Sequence, residues 1–560
     1  MTISTGRGLA PTSFRILLAK LGAALMVLAW VQIAAAQKPP PPAAGGEPTQ
    51  PKVNEGEEFE PEDTRGGPPP SKMLERAKKL YDRGDYYSAS IELDKVIKGT
   101  EDSEANKQKA EFFMGKTLFH LKFYAASLVY FDSIVQKGPS HRYYKRTLQW
   151  LAALAQVLPE SSGILKKIGK YSITDLEDPA LSSVRDELYY LLGRYFYQSG
   201  QLDQAIALFQ KVPRESQYFV KAKFLEAVCW VLVPKGASAV EALKEILLIA
   251  AEPNLRAKYK RAELQEFTER AQLTMARIFY STKQFDTSIR YFEKLPQDSQ
   301  FWVESLFEAS WAYYLKKLNS KALGNIHTLN APYFENEFFP ESLILKAQIY
   351  FNYCRYDRAL EAVSEFQELY PAVRDDLRRV IAQNPDDNPA FYELVKKVRK
   401  GTAGLPERTQ LIADSALDDA TLEKTFAYVD ELEREMKQYE AADKAWKTTR
   451  IAADVLQDLT VQSSLAADTA GGLARERLTR LERELTELRS QAGAVKISIL
   501  EARIGNKQAA LAGQEVSADN PPEPIIVDDE HQTWDFNGEY WKDELGFYRY
   551  RISSQCPAKR

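Results

Sequence analysis

Cysteine and histidine are scarce in this 560-residue chain, which has three of the first (Cys229, Cys354, Cys556) and four of the second. Three thiols allow one bridge and leave one over, so a small domain held by a disulfide framework is excluded and the fold must rest on its core. No two histidines lie close together, and none stands at ligand spacing from a cysteine, so the sequence offers no local metal site and asks for no cofactor. A formal charge of -4 without any basic run argues against nucleic acid or an anionic membrane surface as the main partner. There is no GxSxG elbow and no HExxH. Gly115-Lys116-Thr117 spells the end of a phosphate loop, but the glycine required five residues before Gly115 is replaced by Ala110. An enzyme is not expected.

What is present begins with a targeting pattern. Arg7, Arg15 and Lys20 precede an apolar stretch from Leu21 to Val31, and Ala34-Ala35-Ala36 offers a small-residue cleavage site. Residues 1–36 read as a signal peptide, and no later stretch is apolar for long enough to cross a bilayer, so an exported protein without a membrane span is expected. Residues 37–70, with KPPPPAAGG and RGGPPP at their ends, read as a disordered Pro/Gly-rich linker.

From Ser71 the texture changes to helix pairs with a period near 34 residues. AKKLYDRGDYYSASIELDKVI, GKTLFHLKFYAASLVYFDSIV, GRYFYQSGQLDQAIALFQKV and AQIYFNYCRYDRALEAVSEF align on a small residue (Ala77, Gly115, Gly193, Ala347). Twelve residues on comes a second small one (Ala89, Ser127, Ala205, Ala359), and four further a bulky one (Leu93, Phe131, Phe209, Val363). Small residues let two helices approach and bulky ones fill the space between them. Pro139 and Pro371 read as stops of second helices. This small–bulky–Pro pattern resembles the tetratricopeptide repeat. The resemblance spans residues 71–371, about seven to eight repeats with some degenerate, and implies an all-α solenoid of helical hairpins. It also implies that the first helix of each pair lines a concave face. On that face the resemblance places Phe119, Tyr197, Tyr280, Tyr314 and Phe351, with Lys116, Arg194, Arg277, Trp311 and Gln348 one turn earlier. An aromatic column beside a partly basic one suits an extended peptide. The competing use of the same rings is packing against neighbouring repeats or against the chain's own C-terminal part.

Beyond Pro371, residues 372–515 carry two polar helices with narrow seams. Val429, Leu432, Met436 and Tyr439 form one; Leu478, Leu481, Leu485 and Leu488, continued by Ala492, Val495 and Ile499, form the other. Both have heptad spacing and need a partner along their length. With Gly471-Gly472 between them, an antiparallel hairpin is expected, with coiled-coil self-association as the alternative. An acidic, Pro-containing linker (516–530) then leads to an aromatic segment, 531–560. Trp534, Phe536, Tyr540, Trp541, Phe547 and Tyr548 are too many large rings to leave in water, so docking onto the hairpin or the last repeat is expected, over an exposed partner-binding tail. Docking near Cys354 would make a bridge to Cys556 possible.

A narrower resemblance rests on WAYYLKKLNSKALGNIHTLNAPYFENEFFPESLILKAQIYFNYCRYDRAL and WDFNGEYWKDELGFYRY. These stretches are similar to exported tetratricopeptide proteins of myxobacteria and other gliding or predatory bacteria, among them periplasmic or outer-membrane-associated components of the adventurous gliding machinery. That resemblance implies a non-enzymatic scaffold contacting other envelope proteins. An adaptor for outer-membrane assembly or cell-wall synthesis is the first alternative, and the recognition arm of an envelope hydrolase the second.

Overall fold

The computed structural model describes residues 70–334, 337–383, 386–511, 527 and 532–556. The expected signal peptide, the Pro-rich segment up to residue 69 and all of the acidic linker except Val527 lie outside the described residues. Among those described, every regular element is helical.

Antiparallel pairs follow one another along the chain: α1 (Lys72–Asp82) with α2 (Tyr86–Lys98), and α3 (Glu104–His120) with α4 (Tyr124–Lys137). An irregular unit follows, with α5 (Tyr144–Val157) and the short α6 (Ile164–Ile168) and α7 (Ile173–Leu176). Then come α8 (Arg185–Gln198) with α9 (Leu202–Lys211), and α10 (Phe219–Leu232) with α11 (Gly236–Ala251). After the short α12 (Pro253–Arg256), α13 (Arg261–Ser281) pairs with α14 (Phe285–Phe292) and α15 (Trp302–Leu315) with α16 (Asn319–Leu329). The last pair is α17 (Glu341–Asn352) and α18 (Tyr356–Gln383).

The pairing follows from residue size. Phe131 lies so close over Gly115, and Phe209 over Gly193, that a Cβ on either glycine would stand 2.7 Å and 2.6 Å from the ring. Ser127 and Ser288, at the second small position, donate to the carbonyls of Gly115 and Ala276 on the facing helix, each at 2.8 Å. One turn geometry recurs within the pairs. Gly84, Lys122, Gly200, Lys283, Lys317 and Cys354 all take φ between 53° and 77°. The next residue donates its N–H to the carbonyl five positions back, as Phe123 does to Leu118 and Arg355 to Tyr350. This left-handed cap ends the first helix and turns the chain into the second. Only two of the six are glycine, so the other four positions carry no glycine signal of a turn.

The C-terminal half differs from the expectation in three places. Pro371 does not end its helix: α18 runs through it for 28 residues, and its continuation buries Val373 and Leu377. Gly471-Gly472 is not a turn either. After α19 (Asn388–Arg399), α20 (Glu407–Leu417), α21 (Ala420–Ala441) and the short α22 (Lys444–Lys447), one helix, α23, extends from Arg450 to Leu511. At ~1.5 Å per residue its 62 residues reach on the order of 90 Å. The glycines mark where α19 crosses it, since a Cβ on Gly471 would lie 1.9 Å from the Asn388 carbonyl oxygen. The antiparallel pair therefore exists as α21 against the first part of α23, with its turn at residues 442–449. The Leu478–Ile499 seam is buried within the chain, against α17, α18 and α19, and is not available for self-association.

α23 thus braces the solenoid from end to end. Near its start Arg450 pairs with Asp94 of α2 at 2.7 Å, and towards its other end Arg503 pairs with Asp357 of α18 at 2.9 Å. The brace is wedged at its near end by Trp446, 1% exposed, which stacks on Phe123 at 5.7 Å and donates from Nε1 to Ser90 Oγ at 2.9 Å. Phe123, the residue before α4, supplies no side-chain cap. Glu435 of α21 does so instead, accepting the Ala125 N–H at 2.7 Å. The helix paired with the brace, α21, and the second repeat are thereby joined by a bond to the backbone as well as by apolar burial.

Candidate interaction surfaces

The first-helix column does not form one open groove. Phe119 is buried against Tyr124 and Trp150, ring centres at 5.2 Å and 5.3 Å. The Lys116 ammonium sits over Tyr81, Phe113 and Trp150, at 4.8 Å to 5.1 Å. Arg277 is buried between repeats, held by Glu308 at 2.6 Å and Glu304 at 2.7 Å. Burial alone would lower its affinity for its proton, but the two carboxylates more than reverse this. Tyr280 is buried beside it, its hydroxyl pushed up by desolvation and by the charge of Glu308. Gln348 is buried and donates to Asn352 at 3.2 Å. Arg194 pairs with Glu160, which also takes Lys424 of α21 at 2.8 Å, so α21 occupies this position.

Phe119, Arg277, Tyr280 and Gln348 are therefore corrected from groove lining to side chains buried within the solenoid. Neighbouring first helices are stacked too closely to leave these side chains room to face outward. Tyr197, Trp311, Tyr314 and Phe351 remain half-buried, with Tyr314 accepting from Asn352 at 3.0 Å.

The tail forms the second surface. It lies on α15 and α16 rather than on the brace, and is joined to the last repeat by the Cys354–Cys556 disulfide. Gly324 is what admits it: a Cβ there would stand 1.8 Å from the Tyr548 carbonyl oxygen. Thr328 Oγ1 accepts from Gly546 N at 3.0 Å and Ser320 Oγ from Tyr550 N at 3.2 Å. Arg355 donates to the Ser553 carbonyl at 2.9 Å, and Gln555 N to that of Tyr353 at 2.9 Å. His327 is ringed by Phe536, Tyr540, Tyr548 and Tyr550, with centres at 4.6 Å to 5.6 Å. Burial, then the charge of Lys346, keeps His327 below its ordinary range. Burial, then the bond to Glu544, pushes the Tyr548 hydroxyl up to about 12.

The expected set of docking rings changes in membership. Tyr540 and Tyr548 are half-buried and Phe536 leans on His327, but Trp534, Trp541 and Phe547 face water at 69%, 57% and 73% exposure. Leu545 and Ile552 are the fully buried anchors. They are the only aliphatic side chains between residues 532 and 556, a signal that the density of rings masks. Aromatics with a polar handle sit at the rim, and the compact aliphatics join the buried apolar cluster to which α15 and α16 contribute.

With this geometry in hand, comparison with known proteins adds little that is specific. No family model matches the chain, and no curated protein matches it. Among solved structures it is similar to a tetratricopeptide repeat protein from Parabacteroides merdae ATCC 43184, at 13% identity over 53% of this chain and 91% of that one, TM-score 0.24. It is similar also to the apo form of RapI (11%, 66% and 98%, TM-score 0.31) and to the Cut9–Hcn1 structure of the APC/C (10%, 75% and 96%, TM-score 0.19). Superpositions this loose decide nothing further, and the tetratricopeptide-like character of the solenoid rests on its own repeat geometry. Among the described residues no helix is long and apolar enough to cross a membrane, and no cluster of three or more His, Cys, Asp or Glu could hold a metal ion.

Proposed function

We propose that this chain is a non-enzymatic protein–protein interaction scaffold of the bacterial cell envelope, exported through its leader and built into a multi-protein gliding-motility assembly. The observation that carries the reading is the tail. A segment bonded to the solenoid through Cys354–Cys556 holds Trp534, Trp541 and Phe547 outward on a fixed backbone. Rigid, exposed aromatics of this kind are the usual anchors of protein interfaces, because little freedom is lost when a partner covers them. A structural disulfide supports an oxidising compartment, in keeping with the leader. The half-buried Trp311 and Tyr314 offer partners a second position on the first-helix side.

The test is affinity isolation from envelope extracts with the unaltered chain and with Trp534→Ala/Trp541→Ala/Phe547→Ala, alongside peptide mapping of the disulfide. Gliding components should co-purify with the first and be lost from the second, with Cys354 linked to Cys556. Recovery of outer-membrane assembly or cell-wall factors instead would place the scaffold in envelope biogenesis. Reduced cysteines in protein taken from its native compartment, or partners indifferent to the triple substitution, would overturn the reading.

A further inference from the structure

At the edge of the solenoid where α11 ends, α12 intervenes and α13 begins, a cleft of about 370 Å³ opens to solvent. Leu264, buried, and Thr268 and Gln272, half-buried, line its inner part, while Arg256, Arg261 and Lys294 stand exposed at its mouth. The acids that flank these cations are engaged elsewhere: Glu252 with Arg214 at 3.6 Å, Glu263 with Lys221 at 2.7 Å and Glu266 with Arg270 at 2.7 Å. Lys294 lies over the Tyr291 ring at 4.6 Å, and among the described residues no carboxylate pairs with any of the three. Glu269, the acid among the lining residues, is buried and already accepts from Gln265 at 3.0 Å and from Ser299 at 2.8 Å. The whole chain carries a formal charge of -4, so this local excess of positive charge does not come from general basicity.

The cleft borders the tail. Gln297, next to Pro296 in the cleft wall, donates from Nε2 to the Lys542 carbonyl, and the exposed Trp541 immediately precedes Lys542. The cations and the displayed rings therefore lie on adjoining surface. We propose, resting on the scaffold reading above, that the cleft binds an acidic segment, rich in Asp and Glu, of the partner protein that covers those rings. The two guanidiniums present planar forks that take carboxylates bidentately, and the apolar wall at Leu264 strengthens such pairs by lowering the local dielectric. Three cations around a cleft of this size match a few side-chain carboxylates, whereas a nucleic acid calls for a longer basic track along its phosphates. Opposite charge also draws the segment in before the rings engage, which makes capture faster at low salt.

Fluorescence anisotropy of a labelled peptide of alternating Asp and Glu, titrated with the full chain, tests it. Saturable binding is expected, weaker as salt rises, and Arg256→Ala/Arg261→Ala/Lys294→Ala should weaken it about tenfold or more. Lys72→Ala/Lys79→Ala/Lys98→Ala removes the same charge from the first helix pair and should leave binding unchanged. All six side chains are exposed, so both variants should keep the thermal midpoint of the unaltered chain. No binding, equal loss in both variants, or tighter binding of a thymidine oligonucleotide at the same residues overturns the proposal. In isolation from envelope extracts, the Arg256 triple variant should lose most of the partner that the unaltered chain recovers. Full recovery there, with loss on Trp534→Ala/Trp541→Ala/Phe547→Ala, overturns the acidic segment and leaves the scaffold reading intact. Peptide binding that depends on the three cations, with a partner indifferent to the aromatic substitutions, overturns the scaffold reading and leaves the acidic ligand of the cleft standing.

Discussion

Gly324→Ala separates the docking of the tail from the stability of the solenoid, because the two should move in opposite directions. In α16 the change removes a glycine from a helix interior, which by itself stabilises by ~0.5–1 kcal/mol. The new Cβ would stand 1.8 Å from the Tyr548 carbonyl oxygen, a separation real Cβ atoms do not show, so the tail must retreat by more than an ångström. The bonds from Gly546 N at 3.0 Å and from Tyr550 N at 3.2 Å then pass beyond hydrogen-bond range. Two neutral hydrogen bonds at ~1 kcal/mol each make about 2 kcal/mol, or roughly 30-fold in the opening equilibrium. Cys354–Cys556 keeps the tail tethered, so the displaced segment stays close and the solenoid stays folded. Amide hydrogen exchange resolved to single residues is the assay. Gly546 and Tyr550 should exchange about 30-fold faster or more, while the amides of α15 and α16 hold their protection or gain some. Unchanged exchange at those two amides would refute the docking geometry. Faster exchange throughout α16 would refute the claim that the glycine serves the tail rather than the helix.

Two further outcomes concern the brace. Trp446→Ala should destabilise by about 3–5 kcal/mol, the range for removing a buried large aromatic. Hydrogen exchange should show the loss in α2 and α4, on which Trp446 sits, and leave α15 and α16 unaffected. Glu435 is fully buried, and desolvation raises its carboxyl well above the ordinary value, despite the N–H of Ala125 that favours the charged form. Between the unfolded carboxylate pKa of about 4.3 and that raised value, the folded chain keeps a proton the unfolded chain has lost. Stability therefore falls as pH rises through the window. Glu435→Gln keeps an oxygen to accept from Ala125 and removes the titration, so its urea midpoint should vary less between pH 4.5 and pH 8 than that of the unaltered chain. A parallel dependence in both would refute the assignment.

The repeats are legible in the sequence because each is a local object. Gly115 against Phe131 and Gly193 against Phe209 are pairs sixteen residues apart, and a size pattern at that range survives whatever the rest of the chain does. The same holds for the heptad spacing at Leu478–Ile499, which correctly announces that the helix needs a partner. Which partner is a separate matter. Spacing fixes the shape of the required surface and not its owner, and the owner is the solenoid's last pair with α19, which lie well upstream in the chain. Gly471-Gly472 carries the same ambiguity, since a glycine pair serves a turn or a close crossing equally well and only the position of Asn388 tells them apart. Pro371 is tolerated because neighbouring elements support α18 on both sides of it.

The groove residues mark the limit of reading by register. Arg277 and Tyr280 stand where first helices face inward, but the distance to the next repeat decides whether such a side chain meets a ligand or the carboxylates of Glu304 and Glu308. In the tail the sequence determined that a ring-rich segment could not be idle, and its composition did not distinguish rings that anchor from rings that are displayed. Tertiary structure made that choice through the burial of Leu545 and Ile552 in the apolar cluster to which α15 and α16 contribute. The sequence by itself determined a chain of helix pairs followed by long helices whose heptad seams must be packed against something. Only the folded chain decided that its own repeats would cover the longest of them, because burial is a property of surfaces that meet in space and not of residues that follow one another.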